Sequence, residues 1–493
     1  MKRTRIQRDD GGCETASPFL ARSATEFQVR TKFQGRSELL SEGMMNVVER
    51  CFLCGKEESN AKKLILGLHG SVCLECVSLC AEIVRNGVLT ENDSSERTPF
   101  PSQRAEWLPA QVALVCEPNV ETLFALLETQ SANFKSPFSM EKATLEHRAF
   151  RSALESFGVK VYDLREALTL GCSVPGQALE RLRGWARKAV RHVFDPRLSI
   201  DDLRAVQGAF RASLSSMDTS TLAQLILLRP SLFVAPNPEA LDPTSRFVTR
   251  FEVNPAHNAY YVRDPMITTA AGCVIGRLRL QARQIENDIA EHALTQLGIR
   301  PLWRVQAPGH LEGGDFLPCG DFVLQGQGLL SDAEGVRQCL ENRVYGFVEV
   351  AVVIDPRSAM DEMHLDTYFT LLDRNLCAIC EDRTGSQEPV VNVYQPEGTT
   401  ESFFYRKRET VHFKEYLRRK GFRILRFSKA EQESYAPNGL MLSPTHLLGV
   451  KGSGESFAVT LKIEGVKMEW LEFEALGGGY GGPHCSSQIL LRG

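Results

Sequence analysis

The sequence of 493 residues lacks the long apolar segments that mark membrane proteins. It has no run of about 18 consecutive apolar residues, the usual minimum for a helix that spans a bilayer. The basic start MKRTRIQR is followed by polar residues rather than by an apolar segment, so no secretory signal is predicted. We therefore expect a cytoplasmic protein without a transmembrane helix.

An excess of charge of one sign is also missing. Lys and Arg total 57 and Asp and Glu total 61, which gives a net charge of −4. A general binder of nucleic acid or of membrane surfaces carries a marked basic excess, so we expect neither partner. The composition, 43% hydrophobic and 24% charged, is typical of globular proteins, and the length suggests about three domains.

Cysteine, by contrast, is frequent, with 14 residues in the chain. In a reducing compartment such residues are metal ligands, catalytic thiols or small core residues more often than disulfides. Four of them form two C-x2-C pairs that are separated by 18 residues, namely Cys51, Cys54, Cys73 and Cys76. Thiolates paired in this way predict a tetrahedral zinc site, and a dithiol redox pair is the alternative.

Composition and periodicity divide the chain into four parts. We expect a disordered leader at 1–45, a zinc-binding unit at 46–90, a linker at 91–105 and an α/β domain at 106–493. Met44 and Met45 offer a second start of translation, in which case the leader would not be made.

The pattern of the α/β domain alternates between strands and helices. Residues 112–118 and 159–164 predict strands, and 141–157 predict a helix between them with Leu145 on its apolar face. Two amphipathic stretches within about 176–230 predict an all-helical insertion. From residue 246 onwards we count about five further strand–helix units.

Four short motifs in this domain carry candidate catalytic side chains: Asp264 before a proline, Glu312 and Asp315 in Glu-Gly-Gly-Asp, His364 and Asp366 in His-Leu-Asp, and Cys485 after Gly-Gly-Pro-His. Each also has an ordinary interpretation: a turn cap at Asp264, a turn or a cation site at Glu312, and a flexible tail with a chance thiol at Cys485. His364 and Asp366 are two residues apart, so on a strand they would share one face.

Together the four motifs favour one chemistry. A thiol nucleophile, a histidine acid/base and several carboxylates suit attack on the planar, cationic carbon of a guanidinium group. Carboxylates can pair with guanidinium nitrogens in bidentate fashion.

The motif order Arg-Asp, Glu-Gly-Gly-Asp, Met-His-Leu-Asp-Thr-Tyr-Phe-Thr and Gly-Gly-Pro-His-Cys resembles the arginine deiminase family of the guanidino-group-modifying (pentein) enzymes. The resemblance runs from about residue 106 to the C-terminus and includes the Pro-Asn-Gly stretch at 437–439. It implies a five-bladed α/β propeller with the helical insertion. It also implies conversion of L-arginine to L-citrulline and ammonia without a catalytic cofactor.

The resemblance implies a role for each candidate residue. Cys485 corresponds to the nucleophile, His364 to the general acid/base and Glu312 to the residue that orients substrate and histidine. Asp264 and Asp366 would bind the guanidinium. The implied substrate-binding residues are Asn258, Arg283, Asp315 and Gly482.

The sequence departs from the family's pattern at the far end of the substrate. Leu330 stands where the family usually has an arginine that clamps the substrate carboxylate, and Tyr480 stands where many members have a mobile arginine. Loss of one charge-assisted contact costs about 1.5–3 kcal/mol. Another guanidino compound, or an arginine side chain in a peptide, is therefore an alternative substrate.

The segment around the paired cysteines resembles the C4-type zinc-binding domain of the protein-unfolding ATPase ClpX. The stretches that carry this resemblance are CFLCGK and VCLECVSLCAEIV, and no Walker A sequence accompanies them. The resemblance implies structural zinc and a module that dimerises or docks onto a protein partner.

Two other functions remain open on these residues. An amidinotransferase of the same fold would resolve the intermediate with an amine rather than with water. An adaptor would use the domain to bind arginine-bearing proteins and the zinc module to reach a partner, without turnover.

Overall fold

The computed structural model describes residues 64–67, 70–73, 101–398 and 403–493. It divides into two units, with the division after Ser94. In the first unit the described residues form an antiparallel hairpin that ends at the buried Cys73. The predicted leader, most of the predicted linker and the other three candidate zinc ligands lie outside the described residues.

The strands of the described residues are β1 Leu64–Gly67, β2 Gly70–Cys73, β3 Ala110–Val115, β4 Lys160–Asp163, β5 Arg191–Phe194, β6 Pro230–Pro236, β7 Phe247–Val253, β8 Met266–Thr268, β9 Cys273–Ile275, β10 Trp303–Arg304, β11 Phe316–Pro318, β12 Phe322–Gln327, β13 Glu349–Ile354, β14 Phe369–Asp373, β15 Leu376–Cys380, β16 Val390–Gly398, β17 Phe403–His412, β18 Arg423–Phe427, β19 Leu440–Ser443, β20 His446–Val450, β21 Lys467–Leu471 and β22 Gln488–Arg492. The α-helices are α1 Val120–Leu126, α2 Met140–Ser156, α3 Leu164–Thr169, α4 Gln177–Ala189, α5 Ile200–Ser216, α6 Thr219–Leu228, α7 Gln284–Gln296, α8 Ala333–Glu341, α9 Phe413–Arg419, α10 Lys429–Glu433 and α11 Glu455–Ile463. The second unit is therefore a mixed α/β structure, and no helix in the described ranges is both long and apolar enough to cross a bilayer.

Five of the described sheets repeat one order of pairing. In each sheet the first strand is antiparallel to the second, the second is parallel to the third, and a helix lies between the second and third strands. The five sets are β8-β9-β10, β11-β12-β13, β14-β15-β18, β19-β20-β21 and β22-β3-β4. The last set joins the two ends of the unit, because Gln488 near the C-terminus pairs with Leu114.

Strands inside these sheets carry continuous apolar runs because both of their faces are covered. The sequence LCAIC of β15 is buried throughout, and five of the six residues of β13 are buried. The hairpin β16–β17 extends the sheet of β13 outwards and is largely exposed at its tip.

Helix α2 confirms the helix predicted at 141–157, and Gly158 ends it with a φ of +79°. Leu145 was expected on the apolar face but is 59% exposed, because the face that packs carries Phe150 and Leu154. Helices α4, α5 and α6 confirm most of the predicted insertion.

The expectation that the insertion is wholly helical is wrong. The segment Arg191–Phe194, predicted to continue a helix, is strand β5 and pairs in parallel with β6. β6 pairs in turn with β7, so the insertion has a sheet of its own. The four residues of β5 are too few for periodicity to distinguish a strand from a helix end.

Candidate active site

The candidate catalytic residues lie in the short connections that precede the first strands of the five repeated sheets. Asp264 precedes β8, Asp315 precedes β11, Asp366 precedes β14, Asn438 precedes β19 and Cys485 precedes β22. The shared pairing order therefore brings one polar segment from each sheet to a common place. Residues that are far apart along the chain, such as Asp264 and Cys485, become neighbours in this way.

A narrow cleft opens over these segments. Its buried floor consists of Asn258, Tyr261, Asp264, Arg283, Glu312, His364 and Cys485. Its more exposed rim consists of Asn133, Leu280, Leu330, Met360, Met363 and Tyr480. Floor and rim are used below in this sense.

Cys485 is 4% exposed and lies beside Asp366, with 3.7 Å between Sγ and Oδ2. The Asn438 side chain holds the loop that carries the thiol, since its Oδ1 accepts from the backbone N–H of Cys485 at 3.3 Å and of Gly482 at 2.7 Å. A Cβ on Gly481 would lie 2.8 Å from the Cys485 Cβ, so the glycine permits this close turn.

The Cys485 thiol is held in its protonated form. Burial raises its pKa well above the ordinary value, and the charges of Asp366 and Asp264 raise it further. A cation placed between the thiol and these carboxylates would act in the opposite direction. The Cys485 thiol would therefore lose its proton more readily beside a positively charged ligand.

His364 is fixed by Glu312. Its Nε2 donates to Glu312 Oε2 at 3.0 Å, and its Nδ1 lies 3.9 Å from Asp264 Oδ1. Burial opposes protonation, but the hydrogen bond to Glu312 and the charges of Asp264 and Asp315 raise the pKa of His364 to about 10. A Cβ on Gly314 would lie 2.6 Å from His364 Nδ1, which explains the glycine there.

His364 and Asp366 do not share a strand face, which corrects the prediction made from their spacing. The segment Leu365–Thr367 is a turn of 3₁₀-helix, so the two side chains point to different partners. Asp366 Oδ2 accepts from His484 Nδ1 at 2.7 Å. Asp366 therefore borders Cys485 through Oδ2, and its Oδ1 has no hydrogen-bond partner among the described residues.

Both terminal nitrogens of the Arg283 guanidinium bind carboxylates. Its Nη1 donates to Asp264 Oδ2 at 3.0 Å and its Nη2 to Glu286 Oε2 at 2.8 Å. Burial disfavours its charge, but Glu286 and Asp264 overcome this effect and raise the pKa of Arg283. Asn258 is next to this pair, with its backbone N–H on Glu286 Oε1 at 3.3 Å.

Two other predicted substrate-binding residues lie behind the cleft rather than in it. Asp315 Oδ1 accepts from the backbone N–H of Leu365 at 2.9 Å and so supports the His364 loop. Burial raises the pKa of Asp315 to about 6. Gly482 is held by Asn438, and a Cβ there would lie 2.8 Å from the Asn438 carbonyl oxygen.

The site presents buried acceptors that lack donors. Asp264 Oδ1, Asp366 Oδ1 and Asn258 Oδ1 are buried, and among the described residues none of these oxygens has a hydrogen-bond partner. Buried acceptors without partners are costly and in native proteins point to a missing ligand. A guanidinium group, with five N–H donors and a positive charge, is a ligand of matching chemistry.

One oxygen each of Asp264 and Glu312 and one ring nitrogen of His364 lie within 4.8 Å of one another, close enough to surround a metal ion. In this site, however, both carboxylates already bind N–H cations. Asp264 binds the guanidinium of Arg283, and Glu312 binds the imidazole of His364. The contacts therefore favour an N–H cation as the ligand.

Several residues of the site were not singled out from the sequence. Asn438 lies in a Pro-Asn-Gly stretch that is typical of a turn, so nothing local signals its contact with Cys485. His484 directly precedes Cys485 in the sequence, but nothing in the sequence indicates that it pairs with Asp366. Glu106 lies 3.7 Å from His484 Nε2 and binds Arg492 at 3.0 Å.

Two family models match parts of this chain. Residues 133–492 match the family model for arginine deiminase, and residues 49–86 match the model for the ClpX C4-type zinc finger. Arginine deiminase of Halobacterium salinarum is 23% identical over 484 residues, which cover 79% of this chain and 96% of that protein. Arginine deiminase of Clostridium perfringens is 24% identical over 376 residues, covering 72% and 88% respectively.

Among solved structures, a dimethylarginine dimethylaminohydrolase from Pseudomonas aeruginosa in complex with citrulline has a TM-score of 0.45 and 15% identity. The likeness covers 77% of this chain and 99% of that one. An amidinotransferase from Microseira wollei has a TM-score of 0.44 and 14% identity, with 80% and 98% covered.

A buried thiol beside carboxylates suits enzymes that act on carbon–nitrogen bonds of guanidino compounds. The family match spans most of the sequence, so the chain belongs to the arginine deiminase family. It is accordingly a hydrolase of carbon–nitrogen bonds in linear amidines.

Proposed function

We propose that the protein removes one nitrogen of a guanidinium group as ammonia through a covalent intermediate on Cys485. With L-arginine the product would be L-citrulline. The observation that carries the proposal is the pair of buried oxygens, Asp264 Oδ1 and Asp366 Oδ1, that lack donors near the Cys485 thiol. A guanidinium bound between them would have its carbon within reach of Sγ.

Binding of the cation would also activate the nucleophile. Asp366 and Asp264 raise the thiol pKa in the free enzyme, and a guanidinium between them would neutralise that effect. The thiol would then lose its proton to the leaving nitrogen by way of the site's acid/base group. Substrate and nucleophile would thus become reactive together.

His364 would carry the protons. Its raised pKa keeps the ring protonated at neutral pH, and Glu312 holds Nε2 so that Nδ1 faces the Asp264 side of the cleft. Sγ bonds to the guanidinium carbon, the carbon–nitrogen bond breaks, and the nitrogen leaves as ammonia with the proton that the thiol gives up. Water then attacks the thiouronium carbon, one of its protons passes by way of His364 to sulfur and the other leaves to solvent, and the carbon–sulfur bond breaks to restore the thiol.

The test is release of ammonia and of the ureido product by the purified full-length protein. L-arginine is the first compound, and Cys485→Ala is expected to lower turnover at least about a thousandfold. Cys339→Ala, which removes a buried thiol outside the site, is the matched control. An adduct on Cys485, detected by mass spectrometry of the quenched reaction, would support the covalent step.

Full turnover by Cys485→Ala would overturn the proposal. An added amine such as glycine tests the resolving step, because a transferred amidine in place of the ureido product would identify an amidinotransferase. Binding of guanidines by a folded protein without turnover or adduct would instead favour the adaptor.

The five repeated sheets are proposed to be the blades of a propeller. Support comes from their shared pairing order and from the position of one polar segment before each first strand. β22 closes the ring by pairing with β3. The site would then lie on the central axis, where all five segments meet.

Cys51, Cys54, Cys73 and Cys76 are proposed to hold one structural zinc ion. Cys73 is buried at the end of the β1–β2 hairpin, as a ligand of a folded metal site should be. The match to the ClpX-type zinc finger supports this proposal and a role in self-association or docking. Zinc content near one ion per chain, lost in Cys51→Ser, and the oligomeric state of both proteins provide the test.

A further inference from the structure

The rim of the cleft is apolar where a substrate tail must lie. Leu280, Leu330, Met363 and Tyr480 are half-buried around the opening, and Met360 is 41% exposed. Tyr480 adopts a φ of +72°, an uncommon conformation for a residue with a side chain. The backbone of Tyr480 is therefore held in the left-handed conformation at the opening of the cleft.

No basic side chain of the described residues is free to bind an anion at this rim. Arg283 and the protonated His364 are the cations that line the cleft, and both are already paired, the first with Asp264 and Glu286 and the second with Glu312. If Arg283 turned towards a substrate, two buried carboxylates would lose their partner. Nearby, Arg279 lies 3.5 Å from Asp332 and does not line the cleft.

The charges on the floor of the cleft also disfavour a substrate that carries a carboxylate. Arg283 and His364 balance the carboxylates of Asp264 and Glu312, so a further carboxylate would lose its hydration without a cation left to compensate it. An aliphatic or uncharged tail would pack on the leucine, methionine and tyrosine side chains instead.

From this we infer that the cleft selects small guanidines whose far end carries no free carboxylate. The inference rests on the proposed function, because it names the substrate class of the same site. Leu330 is assigned as a specificity-determining residue: a cation at its position would be the partner that a carboxylate lacks.

The experiment compares three compounds that share the guanidinium and differ at the far end. L-arginine carries a carboxylate, L-argininamide has it masked as an amide, and n-butylguanidine carries no polar tail. We expect kcat/KM for L-argininamide and n-butylguanidine to exceed that for L-arginine by roughly tenfold to a hundredfold, the value of one charge-assisted contact. A preference for L-arginine would overturn the inference.

Two variants sharpen the comparison. Leu330→Arg should raise kcat/KM for L-arginine by roughly tenfold to a hundredfold and leave n-butylguanidine unimproved. Leu330→Met, which keeps the apolar surface and volume, should preserve the order of the three compounds. If Leu330→Arg does not fold, the wild-type series alone decides the inference.

Binding to Cys485→Ser separates this inference from the proposed function. Titration calorimetry with the same three compounds should give a weaker Kd for L-arginine than for n-butylguanidine, whether or not the wild-type enzyme turns either over. That order without turnover would remove the proposed reaction and leave the selectivity standing. The reverse order, with turnover, would overturn the selectivity alone.

Discussion

The floor and the rim of the cleft differ in burial and in how their side chains are held. On the floor, Glu312, His364 and Cys485 are at most 4% exposed, and charged hydrogen bonds fix the first two. On the rim, Leu330 and Met363 contribute flexible apolar side chains that are only half-buried. Few floor residues can be substituted without loss of charge balance, whereas rim residues can be substituted one at a time. The chemical step and the choice of substrate can therefore be tested separately.

Apart from loss of the thiol, removal of His364 should be the most damaging change to the floor. His364→Asn is expected to lower kcat about a hundredfold to ten-thousandfold, because the proton donor to the leaving nitrogen is lost. In NMR spectra of the wild-type protein, the imidazole resonance that this variant lacks should titrate near pH 10 and remain protonated below it.

A contrary result would be a His364 ring that is neutral at pH 7. Glu312 would then not hold an imidazolium, and the charge balance of the floor would need revision. Asn is chosen because its amide keeps part of the ring's hydrogen-bonding capacity at lower volume.

Asp315 should make stability depend on pH. Its folded pKa of about 6 is above the ordinary value of 3.8, so its protonation contributes stability below about pH 4 that is lost as the pH rises through 6. A shift of about two units corresponds to about 3 kcal/mol. Asp315→Asn should therefore become more stable relative to wild type by about this amount between pH 4 and 7, measured by urea unfolding.

The matched control is Asp321→Asn, an exposed acid in the turn between β11 and β12. Its stability difference from wild type should stay constant over the same pH range. If the stability difference between Asp315→Asn and wild type is also constant over this pH range, ionisation of the buried Asp315 carboxyl costs no stability. The site then holds more water or positive charge than its contacts indicate.

The charge of Asp366 should have the smallest of these three effects when it is measured without substrate, on the reactivity of the Cys485 thiol rather than on stability. Asp366→Asn removes a negative charge beside Cys485 and so lowers the thiol pKa, which increases the thiolate fraction at pH 8. Alkylation of Cys485 by iodoacetamide should be faster by about tenfold for each unit of pKa change. An alkylation rate equal to that of wild type would show that Asp366 does not act on the thiol.

Part of this fold could be predicted from periodicity alone. Helix α2 and helix α5 follow from their apolar spacing, and Ser199 caps α5 through a capping box with Asp202. Strand β5 could not be predicted, since the four residues Arg191–Phe194 become a strand only when β6 lies beside them. Short strands depend on partners that are distant in sequence.

The sequence by itself determined the candidate nucleophile, histidine and carboxylates, because short motifs of chemically distinctive residues can be recognised without knowledge of their spatial neighbours. Only the tertiary structure decided that Asp366 pairs with His484 beside the thiol, that Asp315 supports the His364 loop, that Arg283 is already neutralised, and that Asn438 holds the thiol loop. These facts depend on contacts across as many as 119 residues of chain, such as that between Asp366 and Cys485. Spacing along the sequence cannot specify such contacts; the pairing of five sheets does.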